Sequence, residues 1–438
     1  MSFTFSPASL AILVFVATYV FLIWDRVNRA VIAMLAAGLL VLLGVMHQEE
    51  AFAAIDGNTI GLLLGMMVIV TITRNTGLFE YVALWCAQRV KADPKNLFVV
   101  MLGMTAVSSA LLDNVTTVLL TTPVILSLTR QLKVNPMPYL IGSILASNIG
   151  GTATLIGDPP NIMIGSAEGL SFNDFIIHLA PLAVVVFAAS LAPLMWLYRS
   201  EFHATDADRA AVLKNRPADA IKSPKLLKHC LFVLGLVMAG FVLHGPLHLE
   251  PATLALTGAA LLLLLDNLDH DSEAQHHRVH RAIAEAEWVT LIFFMGLFVV
   301  VHGLVHTGII EQVASWLLAT VGTNPLHMAM GLLWGSAILS AFVDNIPFVA
   351  TMIPLLQNMV PTFGGREAAE PLWWALAAGA CLGGNGTLIG ASANLVVAGL
   401  AAGAGIEIKF MKFIKVAFPL MILSIVIATA YIWLRYFM

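Results

Sequence analysis

Apolar runs recur from one end of the chain to the other, near residues 8–24, 29–46, 58–73, 138–165, 175–198, 229–244, 251–265, 287–306, 372–402 and 416–434. Read against the ~20 residues a helix needs to cross the hydrocarbon core, they predict ten transmembrane helices and an all-α integral membrane protein. Only 11% of the 438 residues are charged and 59% are hydrophobic, whereas soluble domains carry about 25% charged residues, so no water-soluble domain fits. Residues 8–23 read as a retained first helix, since they lack a basic n-region and a small-residue cleavage site and run directly into Asp25-Arg26.

Two further apolar stretches, 96–130 and 325–360, are each interrupted near the middle by an Asp-Asn pair, Asp113-Asn114 and Asp344-Asn345. Such breaks predict re-entrant hairpins. A turn at membrane depth is tolerated only where protein or a wet cavity satisfies its backbone, so both tips are expected to line a site. The two halves also resemble each other. Thr76-Gly77-Leu78-Phe79-Glu80 aligns with Thr307-Gly308-Ile309-Ile310-Glu311 at a shift of 231, which also relates the two Asp-Asn pairs. Gly150-Gly151-Thr152-Ala153-Thr154-Leu155-Ile156-Gly157 aligns with Gly383-Gly384-Asn385-Gly386-Thr387-Leu388-Ile389-Gly390 at a shift of 233. With five crossings per half the second copy enters upside down, the inverted repeat of secondary transporters. The expected organisation is an N-terminal repeat 1–198, a linker 199–228 and a C-terminal inverted repeat 229–438.

Loop charge gives an independent topology. Placing 24–29, 74–96, 129–138, 199–228, 266–287 and 405–416 on the cytoplasmic side collects 20 of the 22 Lys and Arg residues and leaves out only Arg366 and Arg435, as the positive-inside rule requires. Both termini are then extracytoplasmic, in what is expected to be a bacterial inner membrane. The linker 199–228 reads as a solvated cytoplasmic loop. A net charge of −4 leaves no basic face for nucleic acid, and no GxxxxGK[ST] phosphate loop is present. Cys86, Cys230 and Cys381 are scattered without CxxC spacing and predict neither disulfides nor structural zinc. No enzyme chemistry and no cofactor are expected.

Half-helices meeting at a hairpin tip aim free N–H groups and a partial positive charge at the midplane, while the opposing half-helices offer carbonyls. Asp113 and Asp344 add a carboxylate at each tip and can carry a proton or a sodium ion, an ionisable group inside a membrane being functional by default; each can also simply cap the helix that follows. Gly150-Gly151 and Gly383-Gly384 release the backbone from helix, and Asp158-Pro159-Pro160 blocks its continuation. These are read as unwound binding loops in discontinuous helices, the alternative being close packing of small residues. The expected substrate contacts are Asn114, Thr116, Asn148, Thr152, Thr154 and Asn161 from the first half, with Asn345, Asn385, Thr387, Ser392 and Asn394 from the second. Asp158 has no carboxylate counterpart, position 391 being Ala, so cation binding is expected to favour the first half.

Weaker signals are read blandly. His302 and His306 lie four apart on one helical face but show no third ligand, and no metal site is expected; a metalloenzyme built on them is the reading from a different functional class. His270, His276, His277 and His280 make a solvated loop, Cys381 is a small buried residue beside the second unwound loop, and Arg74 snorkels to the interface.

The strings DNVTTVLLTTPV (113–124), SNIGGTATLIGDPPNIMIGS (147–166), DNIPFVATMIP (344–354) and GGNGTLIGASANLVVAG (383–399) resemble the ion transporter superfamily, in the group that holds arsenite permeases and the melanosomal P protein. The resemblance covers essentially the whole chain. It implies a transport domain of two hairpins and two unwound helices, which moves against a dimeric scaffold in an elevator motion. It implies a homodimer, with association of a cytoplasmic ATPase left open. Relatives that carry dicarboxylates have Ser-Asn-Thr at the tips, whereas these tips read Asp113-Asn114-Val115-Thr116 and Asp344-Asn345-Ile346-Pro347, which argues against a carboxylate. The expected function is proton-coupled efflux of arsenite or antimonite, with a sodium/proton antiporter or anion carrier of the same fold as the alternative.

Overall fold

The computed structural model describes residues 6–24 and 26–438; Asp25, expected just after the first helix, lies outside them. Among the described residues there are helices, turns and bends but no strand. The chain begins with α1 (Pro7–Trp24), α2 (Arg29–Leu42), the short α3 (Gln48–Ala53) and α4 (Gly57–Arg74), then α5 (Leu78–Arg89). The first hairpin is α6 (Pro94–Leu111) and α7 (Asn114–Leu132), and a broken span follows as α8 (Met137–Gly151) and α9 (Pro159–Glu168), before α10 (Phe172–Leu197). After α11 (Asp206–Leu213), the second half runs through α12 (Pro224–Leu247), α13 (Pro251–Asn267), α14 (Ser272–Ala284), α15 (Trp288–His306) and α16 (Ile309–Val321). Its hairpin is α17 (Pro325–Phe342) and α18 (Asn345–Met359), its broken span α19 (Arg366–Gly383) and α20 (Ser392–Gly403), and α21 (Phe410–Tyr436) closes the fold.

Local sequence explains the boundaries. Asp93 and Asn324 cap the outer arms of the two hairpins, accepting from Asn96 N (3.0 Å) and Leu326 N (2.9 Å), and each is followed by Pro at the first helical position. Gly77 starts α5 with φ +83°, and a Cβ there would sit 1.9 Å from the Ala220 carbonyl oxygen. Loops read from composition as irregular are partly helical: 74–96 contains α5, the linker contains α11, and 266–287 contains α14. Their polarity had hidden short helices, because such helices bury little apolar surface.

The span count needs a correction of membership. Ten helices of the described residues are long and apolar enough to cross a membrane, but four of them are the hairpin arms, while α2 and α13 fall short. At 1.5 Å per residue the 14 residues of α2 reach about 21 Å, against the ~30 Å hydrocarbon thickness. Its first residue, Arg29, stands within the helix instead of in a loop.

Helix packing occurs in matched pairs. α4 lies along α13 and α15 lies along α2. At the first crossing Gly65 approaches the Ala255 backbone so closely that a Cβ would be 2.5 Å from its carbonyl carbon; at the second, Gly296 does the same to Ala33 at 2.6 Å. Gly65 and Gly296 are 231 residues apart, the shift that relates the two Asp-Asn pairs. Small residues at these crossings let backbones approach where no hydrophobic force acts between helices in lipid.

Cross-links define two ends of the molecule. At one end Lys222 N donates to Thr76 O (2.9 Å), Gln88 Nε2 donates to Asn215 O (2.8 Å), Lys133 pairs with Asp208 (2.8 Å) and Arg74 pairs with Glu285. Lys133 also holds the Asp208 carboxyl below the usual carboxylate range, so loop 129–138 is tied to α11. At the other end Asn58 Nδ2 donates to Ser166 Oγ (3.2 Å), Asn173 Nδ2 to Val242 O (2.8 Å) and Gln357 Nε2 to Glu168 Oε1 (3.1 Å). The base of the first hairpin lies at the first end and that of the second at the opposite end, with the tips directed inward.

Candidate functional site

Each tip carries its carboxylate at a helix N-terminus. Asp113 accepts from Thr116 N (2.8 Å) and from the Thr116 hydroxyl, and Asp344 accepts from Ile346 N (3.1 Å), so both aspartates cap the helix behind them. The half-helix dipole stabilises both as well. Beyond capping, the two diverge. Asp344 forms an ion pair with Arg29 at 2.6 Å and accepts from the Ser392 hydroxyl at 2.8 Å, while Arg29 also donates to Ser392 at 3.3 Å. Tyr19 reinforces the same contact by donating to the Pro347 carbonyl at 2.5 Å and sharing a hydrogen bond with Thr351 at 2.7 Å. Thus α1 and α2 grip the tip of the second hairpin. Neither Arg29 nor Tyr19 was among the expected site residues. Arg29 had been counted as loop charge, and the available signal was an arginine opening an apolar run that yields a helix too short to span.

Between the tips lies a chain of amides. Asn148 Nδ2 donates to Asn385 Oδ1 and Asn394 Oδ1, both at 2.9 Å, and its Oδ1 accepts from Asn114 at 3.2 Å. Asn161 donates to Thr154 O (2.9 Å) and Asn394 to Thr387 O (2.9 Å), each closing its own unwound loop. Cys381 stands 233 residues beyond Asn148; its thiol donates to Asn161 Oδ1 at 3.4 Å, the mirror of the bond from Asn148 to Asn394. The Asn114 Oδ1 atom is buried without a protein partner.

The expected hydroxyl ligands also brace the fold. Thr154 and Thr387 donate to Ala110 O (2.6 Å) and Ala341 O (2.5 Å), tying each unwound loop to the hairpin arm beside it, and Thr152 donates to Asn148 O at 2.8 Å. Ser109 and Ser340, absent from the expected set, bind Ser147 O (2.7 Å) and Ala380 O (2.8 Å) in the same symmetric fashion. The structure thus brings the expected residues together, with the hydroxyl protons of these threonines donated to backbone carbonyls.

Asp158 is fully buried, and its side chain does not cap α9. It accepts from Asn345 Nδ2 at 3.2 and 3.3 Å, joining the first unwound loop to the second hairpin tip. Asp113 and Asp344 are both near enough to repel its charge. Three carboxylates and one guanidinium therefore share the centre. A cavity of about 130 Å³, lined by Thr71, Arg74, Thr116, Glu285 and Glu287, reaches the first tip from the end where the basic loops gather. A hollow of about 20 Å³ lies against Arg29, Phe293 and Asp344, room for about one water by volume.

Of the residues read as bland, Cys381 joins this centre through Asn161, and the others lie outside it. Arg74 is fixed by Glu285 at the cavity mouth. His306 lies 3.6 Å from Glu50 and its ring centroid is 6.5 Å from that of His302. Among the described residues no three His, Cys, Asp or Glu side chains converge as a metal site would need.

The profile of the citrate transporter family matches residues 19–379. An uncharacterized transporter of Mycobacterium tuberculosis is 43% identical over 98% of both chains. The P protein of Sus scrofa is 34% identical over 98% of this chain, which spans 59% of that longer protein. Among solved structures, the YdaH transporter of Alcanivorax borkumensis, described as having an unusual topology, superposes with TM-score 0.59 over 98% of both chains at 15% identity. That likeness bears on the fold alone.

Proposed function

The chain belongs to the citrate transporter family and is a membrane transporter, and from that premise we propose that it exports a small neutral triol, arsenite or antimonite, in exchange for protons. The observation that carries this reading is the make-up of the centre, where the buried Asp113, Asp158 and Asp344 stand with one guanidinium among the described residues, that of Arg29, which pairs with Asp344. A citrate trianion entering there would meet three carboxyl groups and one guanidinium that already pairs with a carboxylate. An undissociated triol meets amides and carboxylates that accept its hydroxyl protons. Asp113 and Asp158 are the carboxyl groups assigned to take up and release the proton. Sodium/proton exchange is the second reading, favoured by Asp158, whose buried oxygens are not spent on a helix cap.

The rest of the account is proposed on the same footing. The two halves act as inverted repeats joined by the linker 199–228, a reading supported by the matched glycine crossings at Gly65 and Gly296. The hairpins and unwound loops move as an elevator against α2, α4, α13 and α15 in a homodimer, as the family resemblance implies. The end that carries the basic loops faces the cytoplasm of a bacterial inner membrane, so the cavity beside Thr116 is cytoplasm-facing. Single cysteines at Lys214 and Arg366 in a cysteine-free background are expected to label from opposite sides of the membrane; labelling from one side would remove the topology.

The functional test is uptake of arsenite, antimonite, sodium and citrate into everted vesicles with an imposed pH gradient. Arsenite and antimonite accumulation that collapses with the gradient supports the reading; sodium movement with indifference to arsenite transfers it to the antiporter, and citrate accumulation sinks both. Asp113→Asn and Asp158→Asn are each expected to abolish gradient-driven uptake while leaving the protein folded. Asn caps a helix about as well as Asp, so the first variant separates charge from capping. Wild-type pH dependence in both variants would show that other groups carry the protons.

A further inference from the structure

A second cavity, of about 470 Å³, lies at the end of the molecule where the basic loops gather, between the start of α12 and the ends of α4, α13 and α14. It is remote from the hairpin tips and shares no lining residue with the cavity beside Thr116. Lys222, Lys225, Arg278 and Arg281 line it, with His229 and His270, against two carboxylates, Asp266 and Asp269. Those carboxylates are already spent: Arg278 pairs with Asp266 and Lys225 with Asp269. Among the described residues no carboxylate pairs with Lys222 or Arg281, so the cleft has two cations in excess.

The backbone adds to the same sign. α12 is 24 residues long, and its first turn, Ser223 to Leu226, lines the cleft. Ser223 Oγ accepts from Leu226 N, and because the N–H groups of a first turn have no acceptor within their helix, the positive end of the helix dipole lies at the cavity. Exposed apolar side chains adjoin the lining residues in the chain. Leu264 on α13 and Leu268 just after it, neighbours of the lining residues Leu265 and Asp269, are 58% and 62% exposed, and Trp288, at the start of α15, is 41% exposed with its indole N–H bonded to Ile283 O at 2.9 Å, the amphipathic placement of an interfacial aromatic.

We propose that this cleft binds a phosphate-bearing anion, best matched by the headgroup of an anionic phospholipid whose acyl chains lie over Leu264 and Leu268. Basic pockets between helices on the cytoplasmic side hold such headgroups by charge and donor geometry, and the two unspent cations with the α12 N-terminus supply both. A free phosphate would use the same donors without the apolar flank.

The test uses the full chain purified in detergent, with unfolding temperature read after adding phosphatidylglycerol, phosphatidylcholine or inorganic phosphate. A rise of several degrees with phosphatidylglycerol alone, lost in Lys222→Gln/Arg281→Gln and retained in Lys409→Gln/Lys412→Gln, is expected. The second variant removes equal charge outside the cleft. An equal rise with inorganic phosphate alone would keep the site and assign it to a free anion. No rise with either, or a lipid effect unchanged in the cleft variant, overturns the proposal. Should the cleft variant not fold, native mass spectrometry of the wild-type chain decides: retention of phosphatidylglycerol over phosphatidylcholine through delipidation supports it, and equal retention of the two overturns it.

Discussion

Arg29→Gln is expected to destabilise the protein by more than the double change Arg29→Gln/Asp344→Asn. Arg29 and Asp344 are joined at 2.6 Å with side chains only 19% and 7% exposed. Removing the guanidinium alone strands a buried carboxylate, which costs about 3–5 kcal/mol. Removing both charges leaves neutral amides that hydrogen-bond, and the worth of a buried pair over neutral partners is small or negative. The Asn at 344 still caps α18 and can accept from Ser392. Thermal unfolding of the two variants and of Asp344→Asn forms a double-mutant cycle, and a double variant as unstable as the sum of the singles would show that the pair is not coupled. Because Tyr19 and Arg29 hold the second tip to α1 and α2, the cycle also measures how firmly that tip is held.

Gly150→Ala is expected to prevent the first hairpin from seating. A Cβ at Gly150 would lie 2.1 Å from the Ala106 carbonyl oxygen, and one at Gly383 would lie 2.5 Å from that of Ala337. Both obstacles are backbone of the adjacent hairpin arm, which cannot rotate aside as a side chain does. Overpacking costs about 1–3 kcal/mol and more when backbone must move, and here the displaced arm carries the Asp113 tip. Gly103→Ala in the same arm meets nothing within 4 Å and should be neutral or slightly stabilising by helix propensity. Yield of monodisperse protein and gradient-driven uptake check the pair; equal behaviour of the two variants would remove the close approach as a requirement.

The breaks were legible because they are written in residues with one physical meaning. Asp-Asn within an apolar run, paired glycines, and Asp-Pro-Pro each forbid a continuous helix, and the helices end at Leu111, Gly151, Phe342 and Gly383 accordingly. The internal shift was legible for the same reason, as the glycines that permit close approach cannot be exchanged. What each polar side chain does was less visible. Thr154 and Thr387 read as ligands because a hydroxyl in a membrane attracts attention, yet their nearest acceptors are backbone carbonyls of another helix, a relation that only the fold creates. Arg29 was missed because apolar run length fixes where a span is, and not what its first residue meets across the fold. The equivalence of Asn148 and Cys381 was hidden by chemistry, since an amide and a thiol share little except the ability to donate to the opposite asparagine.

Exchange of substrate and protons through one centre of three carboxylates and a chain of amides is what the proposed function requires. Its most direct measurement is proton flux in proteoliposomes loaded with a pH-sensitive dye, recorded when arsenite is added on one side with no preset gradient. Arsenite is predicted to drive a proton movement opposite to its own, which is absent in Asp113→Asn and Asp158→Asn and is not elicited by citrate. Arsenite entry without proton movement, or proton movement elicited by citrate but not by arsenite, would contradict the account.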